Sequence, residues 1–296
     1  MSAPGASSVC RTDVDSELTH ARASAPTNQQ IVGIVAALPA EARCLARSHV
    51  AVGASCIVNA HVRLHVGGVG GAAARHAAEA LVASGAHALV SWGMAAGLDA
   101  TLAPGTLVLS NRVVATPRTE HTRDPLDGQN LEERVSSAWA DRLSTRLGGT
   151  LSVVRGTIAC PDGVLRTAED KRALGMAAGA IAADMETAAI AAVAIQARVP
   201  WLAIRVVVDS VDVLVPASVA AAVDPAGHVQ MTRLVGALVR HPSDLVYLPA
   251  LARAYRRALR TLQIVARVAD AALLIPDEKA DGLRVGRDAG ATGRRR

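Results

Sequence analysis

Phenylalanine is absent from this 296-residue chain, and aromatic residues of any kind make up only 2% of it, three Trp and two Tyr. Binding of single-stranded nucleic acid relies on aromatic rings for base stacking, so a nucleic-acid role is disfavoured. Cysteine is scarce too. Cys10, Cys44, Cys56 and Cys160 form no CxxC pair and have no His at metal-ligand spacing. That argues against zinc and for free thiols in a reducing cytoplasm. No apolar run reaches the ~18 residues of a membrane span without an interrupting Arg, Asp, His or Gly. Met1 to Gln30 lacks the apolar stretch of a secretory signal, and its mix of Ser, Ala, Pro, Asp and Arg reads as a disordered leader. Charged residues are few, at 19%, and the net charge of +5 is uneven. From Arg240 to Arg296, twelve Arg or Lys stand against six Asp or Glu, so the basic character lies in the tail.

What the chain does have is apolar mass. It is 51% hydrophobic, with a mean hydropathy of +0.28, enough for a sizeable core without disulfides or metals. Apolar runs and helical stretches alternate. Ile31–Leu38 is a buried strand by length and β-branched content. Pro39 suits a first helical turn, with Glu41 in that turn beside the strand end. Two short strand-like runs fall between Val50 and Val66, with His61 and His65 as strand-face residues. Residues 67–86 are a glycine loop opening into an Ala-rich helix. The loop matches G-x-G-x-x-A at Gly68, Gly70 and Ala73, but the window 87–92 holds no acid for a dinucleotide ribose, so a Rossmann cofactor site fails. Ala88–Trp92 is a strand ending in a small-residue turn, 93-GMAAGL-98, where Gly93 and Gly97 allow close backbone approach to a ligand.

Further strands are expected at Gly105–Val114 and Leu151–Ile158, with an amphipathic helix over Leu131–Leu147 and a long polar surface loop over 115–130. The stretch 179–212 reads as strand, helix, strand. Ile181–Ala183 meets Asp184-Met185-Glu186, a helix runs to Ala197, and Trp201–Val208 ends at Asp209. Val215–Arg240 reads as helical with a break near Asp224-Pro225. The alternation predicts a three-layer α/β/α single domain with a central, mostly parallel twisted sheet. In such sheets ligands bind at the carboxyl ends of strands, which puts Glu186 and Asp209 at one mouth. Taken alone, Glu41 reads as a helix N-terminal acid in preference to a third carboxylate of that mouth.

The order IVAALPAEA, GGVGGAAA, SWGMAAGLDATLAPGTLVLS, AADMETAAIAAV, VPWLAIRVVVDSVD resembles family 1 of the nucleoside phosphorylase superfamily over roughly residues 31 to 240. Within it the similarity is nearest to the methylthioadenosine/S-adenosylhomocysteine (MTA/SAH) nucleosidases and the hopanoid-associated phosphorylases. The tail sequence DLVYLPALARAYRRALRTL is similar to the latter. The resemblance implies cleavage of the N-glycosidic bond of an adenosine-type nucleoside, with adenosylhopane as substrate, adenine as product and phosphate as nucleophile. It implies no cofactor, only inorganic phosphate or water as co-substrate. A hydrolytic nucleosidase and a degenerate nucleoside-binding protein are the alternatives.

Position by position, the resemblance makes Asp209 the acid at the purine and Glu41 the residue that positions water. Glu186, Met185, Met94, Gly93 and Asp184 fall among the substrate-binding residues, and Gly68, Gly70 and Gly71 around the phosphate or water. Met94 and Val208 stand where nucleosidases carry Ser, the phosphate-gripping arginines are not evident, and apolar residues near Val164 replace an aromatic wall. A cytoplasmic homodimer or higher homo-oligomer is implied. The domain expectation is a leader over 1–30, a catalytic domain over 31–240, a basic amphipathic helix over 241–275 and a disordered basic tail over 276–296. From Leu248 to Ala269 an apolar stripe opposes five arginines. It reads as a helix packed on the core or a second subunit, or as one lying on an anionic membrane.

Overall fold

The computed structural model describes residues 30–116, 137–222, 236–237 and 239–269. The expected leader, the basic tail, most of the 115–130 loop and the break near Asp224-Pro225 lie outside these. At the centre is β1 (Val32–Ala36), with every residue buried, as a near-continuous apolar run requires when both sheet faces are covered. It pairs in parallel with β3 (Val62–Val66) and with β4 (Ala88–Gly97). At the edge, β2 (Ser55–Asn59) runs antiparallel to β3. Beyond β4 come β8 (Trp201–Asp209), β5 (Leu107–Ala115), β6 (Val153–Cys160) and the two-residue β7 (Ala182–Ala183). Five of the eight pairings are parallel, so the mostly parallel sheet is present.

The sheet is not open throughout. β4 pairs with β8 along its length and with β7 at its far end, and β7 leads through β6 and β5 back to β8. That half closes into a ring. Register shifts at Ala95/Ala96 and Ser110/Arg112 supply the bends, because a bulge raises local twist. One expectation is corrected by this. The stretch 93–97 is strand rather than turn: its small residues continue β4 between two crowded neighbours.

Helices cover both faces. α2 (Gly71–Ala83) and α5 (Thr187–Ala197) pack one side through Ala74, Ala77, Leu81, Ile190 and Ala194. On the other side lie α1 (the single turn Pro39–Ala42), α3 (Ser137–Gly148) and the long α7 (Leu248–Val268). Between them in sequence fall α4 (Ala168–Ala178) and α6 (Ala217–Ala222). Without phenylalanine, the large core volumes come from Trp92, Trp139 and Trp201, all fully buried.

α7 packs on the core, the first of the readings its stripe allowed. Ala258, Leu262, Val265 and Ala269 are fully buried against the sheet, and Thr261 Oγ1 donates to the Gly105 carbonyl at 3.0 Å. The boundary expected at 240 therefore divides one packed unit. Among the described residues no helix is long and apolar enough to cross a membrane.

Candidate active site

Glu41 is placed by the start of α1. Pro39 opens the helix and Glu41 stands at its third position, where its Oε2 accepts from the backbone N–H of Leu38 (3.0 Å) and of Ala37 (3.1 Å). This is half of a capping box, so the helix-start reading of Glu41 is correct as far as it goes. Its other oxygen, Oε1, reaches across to the Met94 N–H at 2.9 Å, and Trp92 Nε1 donates to the Glu41 carbonyl at 3.2 Å. A carboxylate has about four acceptor sites; three are filled, leaving one on Oε1. Burial pushes the Glu41 carboxyl up from its usual range, against the pull of the Arg205 guanidinium and the three N–H groups.

Glu186 stands at the N-cap of α5 but caps nothing with its side chain. Asp184 does that work: its Oδ1 accepts from the N–H of Glu186 (2.9 Å) and of Thr187 (2.7 Å). Freed from capping, Glu186 Oε1 accepts from the Gly70 N–H at 2.8 Å, and Oε2 lies 3.8 Å from Arg205 Nη2. Burial pushes its carboxyl up to about 7, with Arg205 pulling it down and the neighbouring Asp184 adding to the rise.

Arg205 is the residue that the sequence reading did not single out. It lies mid-strand in β8 with 1% exposure. Nε sits 2.8 Å from Asp184 Oδ2, and Nη2 donates to Ser91 Oγ (2.6 Å) and Thr187 Oγ1 (3.0 Å). Nη1 reaches the Met94 carbonyl at 3.4 Å. Its position is why residue 93 is glycine: a Cβ there would come within 2.6 Å of Glu41 Oε1 and 2.7 Å of Arg205 Nη1. The Gly93 backbone thus runs close against two charged side chains of the protein itself.

Asp209 closes β8, where burial pushes its carboxyl up and the Lys171 ammonium, bonded to Oδ2, pulls it down. Glu41, Met94, Asp184, Met185, Glu186 and Asp209 all line one cavity of about 640 Å³. The structure thus brings together the expected acids and both methionines. Asp184 contributes to the wall, but both its oxygens are taken by Arg205, Thr187, backbone N–H groups and the Cys160 thiol, so it holds the site rather than offering a free acceptor. The glycine loop also departs from expectation. The Gly68 N–H donates to the Ala37 carbonyl (3.1 Å) and that of Gly70 to Glu186, while Gly70 and Gly71 line a neighbouring hollow. The loop grips a carboxylate instead of presenting these amides to an anion.

The rest of the cavity wall is apolar. Val164, expected there, is joined by Leu165, Val208, Val215 and Val219, and α7 adds Leu248, Leu251, Ala252 and Tyr255. Tyr255 adds an aromatic ring to the wall where only apolar residues near Val164 were expected. The arrangement offers an acid end that can bind hydroxyls, exchange protons and stabilise positive charge, beside a surface suited to an apolar group.

Residues 31–240 match the model of a family described as the phosphorylase superfamily. No curated protein matches the chain. Among solved structures it is similar to the futalosine hydrolase of Helicobacter pylori strain 26695, with 18% identity and a TM-score of 0.55 over 72% of this chain and 98% of that one. It is also similar to an H. pylori MTA/SAH nucleosidase variant carrying 5′-methylthioadenosine in its active site (16%, TM-score 0.58, 80% and 98%). A third is the MTA/SAH nucleosidase of Colwellia psychrerythraea 34H in complex with adenine (18%, TM-score 0.57, 83% and 95%). At these identities the likeness is one of fold, and the fold is the one expected.

Proposed function

Since this chain belongs to the phosphorylase superfamily over residues 31–240, we propose that it cleaves the N-glycosidic bond of an adenosine-type nucleoside and releases adenine. One observation carries the reading: Glu41, Glu186 and Asp209, from three separate segments, line a single cavity. Breaking the bond between C1′ and the purine builds positive charge on the sugar and negative charge on the base, and a pair of carboxyl groups serves both ends. Asp209 gives its proton to the leaving purine. Glu186, with lone pairs left beyond Gly70, holds the ribose hydroxyls above Met185. Glu41 orients the water through its remaining acceptor site and takes the water's proton as the oxygen bonds to C1′.

Water is favoured here over the phosphate expected from the hopanoid-associated resemblance. With Asp209 protonated as the donor, Glu41, Asp184 and Glu186 are the ionised groups of the cavity; Arg205 is already paired with two of them, and Lys171 lies outside the cavity wall. A phosphate dianion would meet uncompensated negative charge; a neutral water would not. The apolar wall from Val164 to Leu251 fits an apolar group on the 5′ carbon, in a range that runs from a methylthio group to the triterpene of adenosylhopane. Pairing of two copies, implied by the resemblance, belongs to the same proposal and is read by sedimentation.

Incubation with adenosine, methylthioadenosine and an adenosylated lipid in phosphate-free buffer tests the reading. The expected result is free adenine and free sugar, unaffected by added phosphate, with Asp209→Asn slower by about 10²–10⁴-fold. Adenine release that requires phosphate and yields a sugar 1-phosphate would make the reaction phosphorolytic. Binding without any adenine release would leave a nucleoside-binding protein.

A further inference from the structure

Lys171 does not line the cavity, yet its side chain ends on a residue that does. It lies in α4, in the run Glu169-Asp170-Lys171-Arg172 that reads as a solvated helix start. Its neighbour behaves that way: Arg172 pairs with Asp212 at the surface. Lys171 itself is 0% exposed. Its ammonium donates to Asp209 Oδ2, to the Ser210 carbonyl at 3.1 Å and to the Val213 carbonyl at 2.9 Å. An ammonium has three N–H donors, and all three are used on the segment that begins with Asp209. A buried ion pair of this kind is often no more stable than an apolar residue of similar size, so stability does not explain a lysine here. Its effect on Asp209 does.

We infer that Lys171 is a positioning residue for base release, orienting Asp209 through Oδ2 and setting the pH range over which Asp209 holds the proton it donates. The inference rests on Asp209 being the proton donor. Among the described residues Oδ1 has no hydrogen-bond partner, so the lysine occupies one oxygen and leaves the other for the ligand. Two influences act on this carboxyl: burial raises its pKa and the ammonium lowers it. The other ionisable groups of the cavity are Glu41 on α1, Asp184 and Glu186 ahead of α5, and Tyr255 on α7, with Arg205 behind Asp184. Lys171 is the charge in contact with Asp209. Removing it takes away the downward pull and leaves burial, so Asp209 keeps its proton to higher pH.

Adenine release across pH, from whichever nucleoside the wild type cleaves fastest, tests this in Lys171→Met and Lys171→Arg. In Lys171→Met the alkaline limb of kcat/KM moves up by about 1–3 pH units, while the limb set by Glu186 stays in place. In Lys171→Arg, which keeps the charge, the alkaline limb stays near its wild-type position. A structural role alone would lower the rate at every pH and move neither limb, so an unmoved alkaline limb in Lys171→Met overturns the inference. If Lys171→Met does not fold, Lys171→Gln, which keeps two N–H donors for the Ser210 and Val213 carbonyls, is read the same way. Asp209→Asn separates the two levels. Wild-type release by that variant removes the assignment of Asp209; an inactive Asp209→Asn with an unmoved limb in Lys171→Met removes only the role of Lys171.

Discussion

Burial decides the protonation of Glu186, and this ties the site's chemistry to the stability of the fold. Its carboxyl stands at 4.5 in the unfolded chain and is pushed up to about 7 in the folded one. The folded state therefore binds this proton more tightly than the unfolded state does. Its contribution to stability is fully present below about 4.5 and is lost as pH rises through about 7. Catalysis runs the other way, because the ionised carboxylate is the form that accepts from ribose hydroxyls and faces a cationic sugar. Glu186→Gln is expected to flatten the fall in urea-unfolding stability between pH 4.5 and 8 and to lose most of the adenine release. Chemical denaturation at several pH values, set beside initial rates, checks both. A variant with the wild-type pH slope would show that another group carries the proton.

At the scale of elements, the site depends on β4 passing very close to α1 and β8. Gly93 marks the closest approach. In Gly93→Ala the methyl group would overlap Glu41 Oε1 and Arg205 Nη1, and overpacking of this kind costs about 1–3 kcal/mol. The expected result is a lower Tm and at least a tenfold loss of kcat/KM, an effect of about 1.4 kcal/mol on the transition state, because Glu41 cannot keep its bond to the Met94 N–H. Wild-type kinetics in Gly93→Ala would count against Glu41 as the group that orients the water. The same strand shows what a sequence can and cannot reveal. Glu41, Glu186 and Asp209 were legible because each follows an apolar run, and a strand end in an α/β sheet is where acids meet ligands. Gly93 was legible as a close approach, but not what approaches, since the partner, Arg205, sits in the middle of WLAIRVVVD and only tertiary pairing explains a charge there. Lys171 was hidden for the opposite reason: its charged neighbours look like a solvated surface. The ring closure was hidden because the short strand at Ile181–Ala183 was legible but its pairing with both β4 and β6 is set by tertiary contacts.

For the whole molecule, the span matched by the family and the unit that folds are not the same. The match ends at residue 240, while the core continues into α7. Leu262 and Val265 are fully buried among Leu107, Ile204 and Val206, with Ala258 and Ala269 on the same face. Burial of each large side chain contributes about 1.5–3 kcal/mol, and removing the helix would also expose the strand residues it covers. Against a net stability of about 5–15 kcal/mol for a typical domain, that loss is of the same size as the whole margin. The N-terminal half of α7 carries Leu248, Leu251 and Tyr255, which wall the cavity, so the helix serves the fold at one end and the site at the other. A chain ending at Arg240 is therefore expected to lose cooperative thermal unfolding and to be recovered largely as aggregate. Circular dichroism melts and size-exclusion chromatography of that truncation beside the full chain decide the matter. A soluble truncated protein with a sharp melt, releasing adenine at the full-length rate, would mean that the helix is an appendage and that residues 31–240 hold the site alone.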